Sequence, residues 1–146
     1  MASGGAGNIR SEQWKLSNPA AGTHDVVVTL TGVTNTTIVG GAVSFTGAHP
    51  TTASLTGTQG TATGANTSPT VNAASSVGDI VIDTLAIYVS GAALSAGASQ
   101  TERWNLGATE GAGSTEAGSG TATMSWTGAT GSPVWATCAV AVKPHP

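Results

Sequence analysis

Apolar side chains in this chain recur at every second position, and no stretch shows the three-to-four spacing of an amphipathic helix. A period of two sends neighbouring residues to opposite faces of an extended strand, so the sequence predicts a molecule built from sheets. In Asp25-Val-Val-Val-Thr-Leu-Thr, Val26, Val28 and Leu30 share one face and Val27, Thr29 and Thr31 the other, with turn signals at Gly22 and Gly32. Residues 36–46 read as a longer strand carrying Val39, Gly41, Val43 and Phe45 on one side. Its paired Gly40 and Gly41 call for a bulge or the close approach of another backbone.

Residues 80–89 are apolar on both faces, which predicts a central strand covered from each side. Asp83 interrupts it and needs a hydrogen-bonding partner if buried. Thr121-Ala-Thr-Met-Ser-Trp-Thr points Ala122, Met124 and Trp126 inward. Residues 134–142 place Val134, Ala136, Cys138, Val140 and Val142 together, so Trp135 falls on the opposite face, exposed or against a neighbouring subunit. The Gly/Thr/Ser-rich stretches, chiefly 56–69 and 107–120, read as connections. Short strands separated by such turns predict an all-β fold, an antiparallel β-sandwich of jelly-roll or Ig-like type.

The chain also echoes itself. Ser11-Glu-Gln-Trp-Lys-Leu returns as Thr101-Glu-Arg-Trp-Asn-Leu. After the first copy come Thr29-Leu-Thr-Gly and Ala42-Val-Ser-Phe; after the second come Ser125-Trp-Thr-Gly and Ala139-Val-Ala-Val, in the same order. Two related three-strand passages, with residues 55–89 between them, account for the pattern. Two copies are too few to stack as a solenoid.

The 146 residues suffice for one domain: a sandwich over 12–146, preceded by an N-terminal arm, 1–11, that is flexible or clamped by assembly. Charged residues make up 8%, against about a quarter in ordinary globular domains. Thr, Ser, Gly and Ala stand where Lys and Glu would normally be, as on surfaces that are packed, sheathed or exposed outside a cell. Valine- and isoleucine-rich runs and four Trp supply a core, which argues against disorder. Four basic and seven acidic residues leave a net charge of −3 with no basic cluster, so a nucleic-acid footprint is excluded. No apolar stretch approaches the ~20 residues of a membrane helix. The start, Met1-Ala-Ser-Gly-Gly-Ala-Gly, lacks the basic and apolar segments of a signal peptide and reads as an unprocessed cytoplasmic product; a chain with its signal removed would look the same.

Candidate chemistry is sparse. Cys138, the single cysteine, lies inside an apolar run and reads as a buried small hydrophobe. His24, His49 and His145 are far apart in sequence, outside any metal-ligand spacing. Asp79 and Asp83 are four residues apart on a strand, roughly 13 Å, beyond the range that glycosidase carboxylates use. Neither Glu102 nor Glu110 has a sequence feature that pairs it with them. No Gly-x-Ser-x-Gly elbow precedes a helix, and residues 111–120 lack the strand–loop–helix setting of a phosphate cradle. Asn35-Thr-Thr and Asn66-Thr-Ser match the glycosylation acceptor pattern, and Thr-x-Thr at 29, 56, 61 and 121 lacks the regular spacing of an ice-binding face. The reading is therefore of a protein with no catalytic residues, no cofactor and no metal. Trp126 is expected in the core. Trp14, Trp104 and Trp135 are the candidate contact residues, for a neighbouring subunit or for stacking on a glycan.

The order of these elements resembles Gly/Thr-rich β-sandwich modules of phage virion proteins and bacterial surface proteins. The similar pieces are Trp14-Lys-Leu-Ser-Asn-Pro-Ala-Ala-Gly-Thr-His-Asp-Val-Val-Val, Gly41-Ala-Val-Ser-Phe-Thr-Gly, Gly78-Asp-Ile-Val-Ile-Asp, Gln100-Thr-Glu-Arg-Trp-Asn, Thr123-Met-Ser-Trp and Trp135-Ala-Thr-Cys-Ala-Val-Ala-Val-Lys-Pro. The resemblance implies a structural or adhesive role and brings no catalytic residues. The longer modules place additional strands before the Trp-x-Leu element, so here a sheet edge would stand open. With Lys15 and Lys143 as the only lysines, such an edge has little charge to guard it.

The expectation is a phage virion component, a capsid-decorating or fibre-type subunit on the virion surface. Its partners would be further copies of itself and other virion subunits. The alternatives are a subunit of a bacterial extracellular filament or adhesin, and a carbohydrate-binding module.

Overall fold

The computed structural model describes residues 2–6, 9–32, 37–50, 55–88, 93–106 and 111–146. They form ten strands and no helix: β1 (Ala2–Ala6), β2 (Ile9–Gln13), β3 (Leu55–Gly64), β4 (Thr70–Ala74), β5 (Ile80–Tyr88), β6 (Ser95–Ala96), β7 (Thr101–Leu106), β8 (Gly111–Ala117), β9 (Thr121–Thr127) and β10 (Val134–Val142). A five-stranded sheet of order β3-β10-β5-β8-β7 packs against a three-stranded sheet, β4-β9-β6, with every pairing antiparallel. The expected all-β sandwich is the architecture found.

The core lies between the two sheets, where period-two apolar faces meet. Val71 and Ala73 of β4 and Ala122 and Met124 of β9 pack against Val81 of β5 and Ala139 and Ala141 of β10. Alongside them Trp126 meets Leu85, Ile87, Leu94, Ala112 and Trp135. β5 is the middle strand of the larger sheet, as its two-sided apolar sequence requires.

The outer face of that sheet is covered as well. The β1–β2 hairpin lies across it: Ser11 Oγ donates to Thr84 O at 2.8 Å and lies 3.4 Å from Cys138 Sγ. Gln13 Nε2 reaches Ile82 O and Thr84 Oγ1, each at 3.2 Å. The expected division between an N-terminal arm and the sandwich, at 11/12, therefore falls inside β2.

Several expected elements differ. Residues 56–69 and 107–120, anticipated as connections, hold most of β3 and all of β8, with 107–110 outside the described residues. Gly64 and Gly113 are seats for tryptophans rather than turns. A Cβ at Gly64 would run into the Trp135 indole, and one at Gly113 into that of Trp104. Gly60 faces the Asn72 carbonyl across the margins of the two sheets in the same way. Neither 25–31 nor the described part of 36–46 forms a strand; residues 33–36 lie outside the described part. Gly41 does meet a close approach, of the Trp104 ring rather than a backbone.

Candidate functional site

The buried polar groups are committed to the fold. Asp83, fully buried on β5, accepts from Ser114 N and Ser114 Oγ, both at 2.7 Å, and from Trp126 Nε1 at 2.6 Å. Ser114 in turn accepts from Gln100 Nε2 at 2.7 Å, and Gln100 Oε1 takes the Ser125 N–H at 2.7 Å. This network ties β5 and β8 of one sheet to β9 of the other. Burial pushes the Asp83 carboxyl above its ordinary value, against the opposing pull of the bonds from Ser114 and Trp126. Asp79, also buried, takes the Ser76 N–H at 2.8 Å, closing the turn into β5. Both aspartates are thus used in tying the chain together. Glu102 accepts from Asn105 Nδ2 at 2.8 Å, and Glu110 lies outside the described residues.

Cys138 is buried as expected, and burial pushes its thiol up to about 11, which keeps it protonated and unreactive. The three histidines, distant in sequence, are not all distant in space. His49 N donates to Lys143 O and His145 N to Gly47 O, and this clasp sets the His49 and His145 rings 6.2 Å apart. Among the described residues, no three His, Cys, Asp or Glu converge as a metal-binding set.

The three tryptophans proposed as contact residues are placed differently. Trp135, expected on an open face, is buried, because β10 is covered on both sides; its Nε1 donates to Asn66 O at 2.9 Å. Trp104 is half-buried on β7, lodged between Gly41 and Gly113. Trp14 is 71% exposed, held by a 3.3 Å bond from Nε1 to Glu12 Oε2. No common aromatic platform unites the three. Thr-x-Thr pairs likewise divide between β3, β9 and residues 29–31, leaving no single threonine face.

Exposed apolar side chains among the described residues include Val77 and Tyr88, and they are most concentrated in the segment that follows Trp14. Leu16 is 78% exposed, Val26 78%, Val28 64% and Leu30 45%. Burying one such side chain stabilises by about 1.5–3 kcal/mol. Val27, on the other face, is 81% exposed as well, so five apolar side chains on this stretch of chain stand in solvent. The alternation that marked residues 25–31 as strand-forming is real, but the segment is paired with no strand among the described residues. The sequence signal alone could not reveal this, since it specifies a face and not a partner. Comparison with protein families, curated proteins and solved structures gave no match to this chain.

Proposed function

We propose that this chain is a non-enzymatic structural subunit of a phage virion, a capsid-decorating or fibre-type β-sandwich that works on the virion surface as a homo-oligomer. The observation that carries the reading is the exposed, strand-patterned segment 25–31 on a body whose own core is complete. A charge-poor surface and the resemblance to virion β-sandwich modules support it. Few ion pairs are available to hold copies together, and Arg10–Glu12, within β2, bridges two residues of one strand. Association should therefore rest on apolar contact and backbone pairing.

The oligomer's mass, followed by light scattering, should hold as salt is raised to about 1 M, where charges are screened beyond ~3 Å. Dissociation over that range contradicts an apolar interface. The virion assignment is tested on purified particles: the chain should be found in them and labelled on their surface by antibody. Its absence from the particles contradicts the assignment. A bacterial extracellular filament or adhesin subunit, joined by strand addition, is the second reading favoured by the same unpaired segment.

A further inference from the structure

The clasp at the end of β10 sets two imidazoles on one face. Ala48 and Pro144 form an antiparallel bridge, framed by bonds from His49 N to Lys143 O at 2.9 Å and from His145 N to Gly47 O at 2.7 Å. His49 and His145 each follow a bridged residue by one position, so extended backbone sends both side chains to the same side of the ribbon. They are diagonal neighbours there, close enough for ring side chains of paired strands to meet. Their ring centres are 6.2 Å apart and the rings are tilted by 31°. We infer that His49 and His145 together bind a divalent transition metal of the class that prefers imidazole, Zn(II) or Cu(II).

Geometry and tautomer both suit that use. Nitrogens about 2.0–2.1 Å from a shared tetrahedral metal put their ring centres roughly 5 Å apart, so the two rings need to close by only about 1 Å. His145 is exposed and can make that turn, while His49 is half-buried. His145 Nδ1 lies 2.8 Å from Pro146 O. A carbonyl oxygen only accepts, so Nδ1 carries the proton and the lone pair stands on Nε2. Metal-binding histidines are oriented in this way, by giving the other ring N–H to a carbonyl or carboxylate. Among the described residues no third His, Cys, Asp or Glu joins the pair, which leaves the other coordination positions to water. Lys143 shares the face but is exposed, and its ammonium can stay in solvent. Two neutral nitrogens without a carboxylate disfavour Mg(II) and Ca(II), which take oxygen ligands, and the usual order of stabilities places Cu(II) above Zn(II). Metal held here ties residues 47–49 to the end of β10 through side chains as well as backbone.

Calorimetric titration of the full chain with Zn(II), Cu(II) and Mg(II) tests this. One Zn(II) should bind per chain, Cu(II) more tightly, and Mg(II) not measurably. His49→Ala and His145→Ala should each weaken Zn(II) binding by at least about tenfold, the loss that follows even when only a ligand's hydrogen-bonding partner is removed. His24→Ala, which removes the exposed histidine outside the clasp, should leave binding unchanged. Melting without metal reports whether each variant is folded. Added Zn(II) should raise the midpoint of the parent and of His24→Ala but not that of His49→Ala or His145→Ala. His49→Gln and His145→Gln, which keep polarity and bulk, give the same comparison should an alanine variant lose its fold. Zn(II) binding that survives either clasp variant, or that falls equally in His24→Ala, overturns the inference. A parent that binds no Zn(II), or binds Mg(II) as well, overturns it too.

Discussion

Replacing Asp83 by asparagine should cost the fold about 3 kcal/mol near neutral pH, a fall in melting midpoint of roughly 6–12 °C for a chain of this size. The side chains are nearly the same shape, so the loss comes from hydrogen-bond polarity. One oxygen of Asp83 serves both Ser114 donors and the other serves the Trp126 N–H. An amide can keep its oxygen on Ser114 only by turning its NH2 group toward the indole N–H. Two buried donors then face each other, and each forfeits a bond it cannot recover from water. Trp126→Phe in the asparagine background removes one of the two, so the double variant should lose less than the sum of the singles.

The pH dependence has a definite sign. Burial raises the folded-state pKa of Asp83 above its ordinary 3.8, so the folded chain holds this proton more tightly than the unfolded one. The stability this contributes is complete below the ordinary value and is lost as pH rises through the folded-state value. Asparagine does not titrate. The stability difference between the parent and Asp83→Asn should therefore narrow as pH rises from about 4. Denaturant midpoints across that range measure it, and a difference that widens with pH contradicts the assignment.

The second large effect concerns the glycines beneath the tryptophans. Gly64→Ala should destabilise by about 3 kcal/mol and Gly113→Ala by about 1 kcal/mol, although each adds the same methyl group. At Gly64 the new Cβ meets the Trp135 ring, which is buried and fixed by its bond to Asn66 O. The indole must leave its place or the strand must move. At Gly113 the obstacle is chiefly Trp104, which is half-buried and can yield toward solvent. Tryptophan emission should shift to longer wavelength in Gly64→Ala as Trp135 is wetted. Equal costs at the two positions, or an unchanged spectrum in Gly64→Ala, contradict this account of the glycines.

These same residues show how much of the fold could be read in the sequence. β9 and β10 were legible because apolar residues alternate along them, and β5 because it is apolar on both faces, each over at least seven residues. β3 and β8 were not, because glycine at every few positions resembles turn chemistry, and the ring that requires it sits on another strand, Trp135 of β10 for Gly64 and Trp104 of β7 for Gly113. Trp135 was placed on an open face because the alternation in β10 marks one apolar side. Both sides are in fact covered, one by β4 and β9 and the other by β1 and β2. Asp83 was recognised as needing a partner, yet Ser114 and Trp126 lie 31 and 43 residues away, beyond any local signal. Residues 25–31 were over-read in the opposite sense: alternation shows that a segment can be a strand without saying which chain supplies its neighbour.

That question is answered most directly by amide hydrogen exchange across residues 26–31, followed in concentrated and in dilute solution. The account predicts slow exchange there when copies are associated, and fast exchange on dilution, while β5 and β10 stay protected throughout. Fast exchange of residues 26–31 at every concentration, with the same β5 and β10 protection, would contradict it.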